Sequence, residues 1–143
     1  MPRQFFDHTG DIGVRVSGDT LADLFREAAL AFTETVTDLA VVESTSAQPV
    51  HIAAPTLDDL LVDWLEELLY RFEVQNLLVA DVDVRIVESR VAPGGWRLEG
   101  ILQGETADAE RHAIKLLIKG ITYHQLQVRH TAGLWQTSVV FDI

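Results

Sequence analysis

Thr56-Leu57-Asp58-Asp59-Leu60-Leu61-Val62-Asp63-Trp64-Leu65-Glu66-Glu67-Leu68-Leu69-Tyr70-Arg71-Phe72 and, soon after it, Asp81-Val82-Asp83-Val84-Arg85-Ile86 are neighbouring runs with different periods. In the first, Leu60, Leu61, Trp64, Leu65, Leu68, Leu69 and Phe72 recur at the spacing of one helix face. Thr56 stands where a cap is needed, with Asp59 at the third helical position. In the second, Val82, Val84 and Ile86 alternate with Asp81, Asp83 and Arg85, the pattern of a half-buried strand. A helix over residues 57–75 leading into a strand decides the class. Helices and antiparallel strands in separate layers make an α+β two-layer fold.

Working outward, Thr20 caps a second helix over 20–36, with Asp23 three residues on and Leu21, Leu24, Phe25, Ala28, Ala29 and Phe32 on one side. Residues 3–16 read as a single first strand that ends at Ser17-Gly18-Asp19, and Val41 to Ala54 as a strand interrupted at residues 44–49. Pro93-Gly94-Gly95 is a turn into a returning strand, Trp96 to Leu102. Residues 113–119 and 123–130 are expected to be two more strands. Thr131-Ala132-Gly133 then turns into the last strand, with Trp135, Thr137, Val139 and Phe141 on one face and Gln136, Ser138, Val140 and Asp142 on the other. The expectation is a mostly antiparallel sheet with two main amphipathic helices, forming a single domain over residues 1–143. There is no internal repeat, and no strand, glycine-rich loop and helix in the order of a nucleotide site.

The chain carries 22 acids against 11 bases, a net charge of −11. Nucleic-acid affinity comes mainly from phosphate neutralisation, so a whole-surface RNA or DNA binder is disfavoured and only a small local basic patch has room. The acidity serves solubility, a cation site or a basic protein partner. The absence of cysteine excludes disulfides, thiolate zinc sites and cysteine nucleophiles. No run is long and apolar enough to cross a bilayer, and Met1-Pro2-Arg3 opens no signal peptide, which points to a cytoplasmic protein with no membrane partner.

Two places carry candidate chemistry. One is Asp7-His8-Thr9-Gly10-Asp11-Ile12-Gly13, where an extended chain would set Asp7 and Asp11 on one side and His8 on the other. The other is Val139-Val140-Phe141-Asp142-Ile143, where Asp142 adjoins the terminal carboxylate. Each is either an ordinary exposed acidic end or part of a cation site. If Asp11 joins the other two carboxylates, a hard divalent ion with all-oxygen ligation, calcium rather than zinc, relieves their repulsion. Lys119 is either an edge-strand charge or a contact for a phosphate or carboxylate. Asp59, Asp63 and Glu66 read as the solvated face of their helix, and His112, His124 and His130 are too scattered for zinc. No nucleophile, base and acid come together, so nothing reads as an enzyme's catalytic set. The sequence gives no clear exposed apolar patch.

In order along nearly the whole chain, several motifs resemble the archease family: His8-Thr9-Gly10-Asp11-Ile12-Gly13, Gly18-Asp19-Thr20-Leu21-Ala22-Asp23-Leu24-Phe25, residues 61–73, His112, Lys119-Gly120-Ile121-Thr122-Tyr123-His124 and Val139-Val140-Phe141-Asp142-Ile143. Gly10 departs from the family's usual alanine, and Leu116-Leu117-Ile118 is more apolar than its usual charged stretch. The resemblance implies a non-catalytic accessory protein of the GTP-dependent RNA ligase of tRNA splicing and RNA repair. Such a protein promotes ligase guanylation and multiple turnover and meets RNA only indirectly. It implies calcium on Asp11, Asp142 and the carboxylate of Ile143, with Lys119 and His8 toward the ligase. The competing readings are a chaperone-like modulator of RNA-modifying enzymes and a small metal-dependent hydrolase with His8 as its base. Oligomeric state is not readable from the sequence.

Overall fold

The computed structural model describes residues 2–8, 10–89, 95–123 and 126–143. Its first helix, α1 (Leu21–Val36), begins where the Asp23 amide donates to the Thr20 hydroxyl at 3.1 Å. The second, α2 (Leu57–Gln75), begins where the Asp59 amide donates to the Thr56 hydroxyl at 3.0 Å, and it ends at Asn76 in the left-handed conformation, φ 55°. Both starts match the caps expected from the sequence, because capping is settled within one turn of chain. Trp64, fully buried, donates its indole N–H to the Phe25 carbonyl at 3.0 Å and ties the two helices together.

The strands are β1 (Arg3–His8), β2 (Asp11–Gly18), β3 (Ser46–Ala54), β4 (Leu77–Glu88), β5 (Trp96–Thr106), β6 (Gly120–Thr122), β7 (Arg129–Thr131) and β8 (Leu134–Asp142). They form two antiparallel sheets. One has the order β1-β2-β8-β6, with β7 also paired to β8, and the other has the order β3-β5-β4. α1 packs on β4 and β2 and so touches both sheets, while α2 packs on β3, β4, β5 and β6. One apolar cluster runs through Val14, Phe25, Leu61, Trp64, Leu98, Leu102 and Phe141. This is the α+β arrangement of two helices with antiparallel sheets that the switch of period foretold.

Several local expectations are corrected. The single strand over 3–16 is a hairpin: Gly10 takes φ 81° between β1 and β2, a conformation glycine adopts without steric cost. The reversal undoes the expected sharing of a face by Asp7 and Asp11. Asp7 pairs with Ile12, and Ile12 and Asp11 are adjacent on one strand, so the two acids lie on opposite faces. Leu39–Val41 forms a short 3-10 turn, so β3 starts only at Ser46. Residues 113–119 form no ladder, and of the described residues in 123–130 only Arg129 and His130 enter a strand, β7. Val140, expected on the polar face, is buried. Gly13, its partner, has no side chain, and the Phe6 ring lies in the vacated space. Asp59 and Asp63 are half-buried rather than fully solvated. Burial and the nearby Asp59 push the Asp63 carboxyl up. The turn expected at Pro93-Gly94 and the histidine His124 lie outside the described residues.

Candidate functional site

β8 is the strand on which the distant segments meet. β2 pairs along one side of it from Gly18↔Trp135 to Ile12↔Phe141, and one further step in that register sets Asp11 beside Asp142. Along the other side β6 pairs Gly120↔Asp142, and the Lys119 amide donates to the Asp142 carbonyl at 2.7 Å. Asp11, Lys119, Asp142 and Ile143, spread over the sequence, therefore reach one end of one sheet. Asp142 and Lys119 are exposed there, while Asp11 and Ile143 are half-buried. His8 lies at the end of β1 with its main chain paired to Asp11, and its side chain is outside the described residues. Beneath this end Phe141 is fully buried, and its ring meets Phe32 edge-on at 5.9 Å between centroids. The acids therefore stand on a packed strand, not on a fraying tail.

Asp11 and Asp142 offer carboxylate oxygens, beside main-chain carbonyls. Hard cations such as calcium take carboxylate and carbonyl oxygens, so the chemistry of these two residues fits that class. Among the described residues no group of three or more His, Asp or Glu side chains is gathered to hold a metal. Asp11 and Asp142 are a pair, and a further donor would be a main-chain or terminal oxygen.

Two features escaped the sequence. The first is a buried ionic cluster around Glu105, which is only 6% exposed. Its carboxylate accepts the Glu43 amide at 2.6 Å, the Arg111 guanidinium, and His112 Nε2 at 3.0 Å. His112 Nδ1 accepts the Asp108 amide at 2.8 Å, so Nε2 carries the ring proton and donates it to Glu105. The Glu43 amide bond, helped by Arg111 and His112 and opposed by burial, holds the Glu105 carboxyl below its ordinary range. The cluster clamps the segment after β5 to the chain before β3. Glu105, Asp108, Arg111 and His112 lie within eight residues, but the cluster is not legible there because the amide that Glu105 accepts belongs to Glu43, far away in the sequence. The second is an apolar groove of about 850 Å³ lined by Phe5, Asp7, Ile12, Leu39, Lys115 and Leu116. Its wall, residues 113–117, is tied to the end of α1 by the Lys115 amide to the Val36 carbonyl at 2.7 Å and the Thr37 hydroxyl to the Ala113 carbonyl at 2.8 Å. Leu117 beside it is 61% exposed, so the molecule does present apolar surface that the sequence left unannounced.

A family model described as the Archease protein family (MTH1598/TM1083) matches residues 4–143. The chain belongs to the archease family. Two archease relatives bear this out. The "Protein archease" of Methanopyrus kandleri is 35% identical over 143 residues and is covered, like this chain, over 100% of its length. That of Methanosarcina acetivorans is 37% identical over 140 residues, 98% of this chain and 94% of the relative. Among solved structures, the solution structure of Methanobacterium thermoautotrophicum protein 1598 is similar with a TM-score of 0.85, at 31% identity and 99% coverage of both chains. The crystal structure of a Thermotoga maritima archease, titled a possible chaperone, shares the fold with a TM-score of 0.63, at 19% identity over 99% of this chain and 97% of that one. Among the described residues no helix is long and apolar enough to cross a membrane.

Proposed function

We propose that this archease is a non-catalytic accessory protein of a GTP-dependent RNA ligase in the cytoplasm, promoting ligase guanylation and repeated turnover. The observation that supports it is the register at β8, which gathers Asp11, Asp142 and Lys119 at one sheet end. Asp11, Asp142 and the carboxylate of Ile143 would hold a calcium-type cation, which when bound offsets their mutual repulsion and supplies a positive charge for phosphate or carboxylate oxygens. The exposed Lys119 would contact an anionic group of the ligase, with His8 at the border of the same end. The acidic chain would dock near the basic, nucleotide-bearing side of its partner, in an association that weakens with salt.

The test is the formation of ligase–guanylate with this protein at substoichiometric amounts. The parent should speed it and allow many turnovers. Asp142→Ala, Asp11→Ala and Lys119→Ala should each lose that effect while keeping their circular dichroism spectra. Full stimulation by the Asp11→Ala/Asp142→Ala double variant would sink the reading. The apolar groove at Phe5 and Leu116 favours a second reading, a chaperone-like modulator of RNA-modifying enzymes, which needs exposed apolar surface. No stimulation by the parent, with the ligase active alone, would turn the choice to that reading.

A further inference from the structure

The outward face of the five-stranded sheet, away from the helices, carries a second groove of about 610 Å³, crossed by β1, β2, β8 and β7. Its lining includes Gln4, Arg15, Ser17, Arg129, Gln136 and Ser138, and no aspartate or glutamate. Three other grooves of the molecule each hold an acid: Asp7 in the apolar one, Asp83 in the next, Asp63 in the last. An acid-free groove with two arginines stands out in a chain whose net charge is −11. The register explains how it arises. Arg15 pairs with Ser138 on one side of β8, and Arg129 pairs with Gln136 on the other. The arginines therefore flank β8 two strand spacings apart and two residues offset along it, roughly 12 Å.

Each guanidinium is held by a neutral neighbour. Arg15 lies over the Phe6 ring at 4.9 Å, and Arg129 Nε donates to the Gln127 amide oxygen at 3.0 Å. Neither contact cancels the charge. Along β2 the same face also bears Asp11, four residues or about 14 Å from Arg15.

We propose that this groove binds single-stranded RNA, with Arg15 and Arg129 on successive phosphates. Guanidinium forks match phosphate oxygens. The Gln4 and Gln136 amides offer acceptors as well as donors, which base edges use and the carboxylates of an acidic peptide do not. The groove crosses four strands of one sheet face, an extended shape that suits a strand rather than a single nucleotide. The inference goes beyond the ligase reading and stands whether or not that reading holds.

The test is fluorescence anisotropy of a labelled oligoribonucleotide of about ten residues, the length scale of one such platform. The parent should bind it, and affinity should fall with salt at a log–log slope of about −1.4, the value for two phosphates on a single strand. Arg129→Gln and Arg15→Gln should each weaken binding about tenfold, the size of one lost charge-assisted bond. Arg85→Gln, on the other sheet and paired with Glu99, should change nothing. Arg15→Gln also removes a ring contact, so Arg129→Gln decides the matter if that variant melts early. Binding of RNA by the double variant at parental strength would overturn the proposal. So would the absence of parental binding at low salt, or equal competition by polyglutamate, which would mark a site for acidic peptides.

Discussion

The two sheets of this archease are built to different standards. In the three-stranded sheet, β3, β4 and β5 have nine, twelve and eleven residues, paired almost without interruption save for one bulge at Val79/Asp81. The five-stranded sheet includes β6 and β7 of three residues each, and the apolar segment that leads into β6 joins no ladder. Yet the irregular sheet carries Asp11, Asp142, Lys119 and both larger grooves, while the regular one carries the Glu105 clamp and much of the helix packing. Stability and candidate chemistry are housed apart.

Perturbations on the two sides should therefore differ in size. The largest effect is expected from Trp64→Ala, which removes a fully buried ring and its indole bond to the Phe25 carbonyl. Urea unfolding should record a loss of about 3–5 kcal/mol. A loss under about 1 kcal/mol would mean the helices do not depend on this contact, and the contrast would fail. Next comes acid. Glu105 titrates below the ordinary value of 4.5 when folded, so its clamp adds stability above that pH and loses it as pH falls through the folded value. Melting temperature measured downward from neutrality should drop below pH 4.5. Glu105→Gln should lower the neutral melting temperature and flatten that acid limb. An unchanged limb would remove Glu105 from the account. The smallest effect is expected from Asp142→Asn, an exposed position, which without added cation should stay within about 0.5 kcal/mol of the parent. If it destabilised the fold as much as Trp64→Ala, the acidic end would be scaffold after all.

What could be read in advance follows the range of the interactions. The caps at Thr20 and Thr56 and the stripes of both helices were legible because each is decided within a few residues. The β1–β2 hairpin was missed although Asp7-His8-Thr9-Gly10-Asp11 is a polar run with a glycine, an ordinary turn signal, because those acids also read as candidate ligands on an extended chain. Residues 113–119 look like a buried strand in sequence, but period alone carries no information about a neighbouring strand. Asp11 and Asp142 could be suspected as candidates, yet their adjacency depends on the β2–β8 register, which neither strand encodes by itself. The arginine groove was illegible for the same reason: Arg15 and Arg129 sit in unremarkable contexts and meet only through β8.

The pairing of β2 with β8 also bears on how the molecule is made. β2 leaves the ribosome before both helices and the other sheet, and β8 follows only after them. Until then the β2 side of the hairpin is a bare edge in addition to β1, a surface open to mispairing with other nascent chains. Joining Val14 to Val139 closes a loop of nearly the whole chain, so this step should be late and slow compared with formation of the three-stranded sheet. The protein would then acquire its acidic end and its arginine groove together, at the last event of folding, and a half-folded copy would offer partners neither.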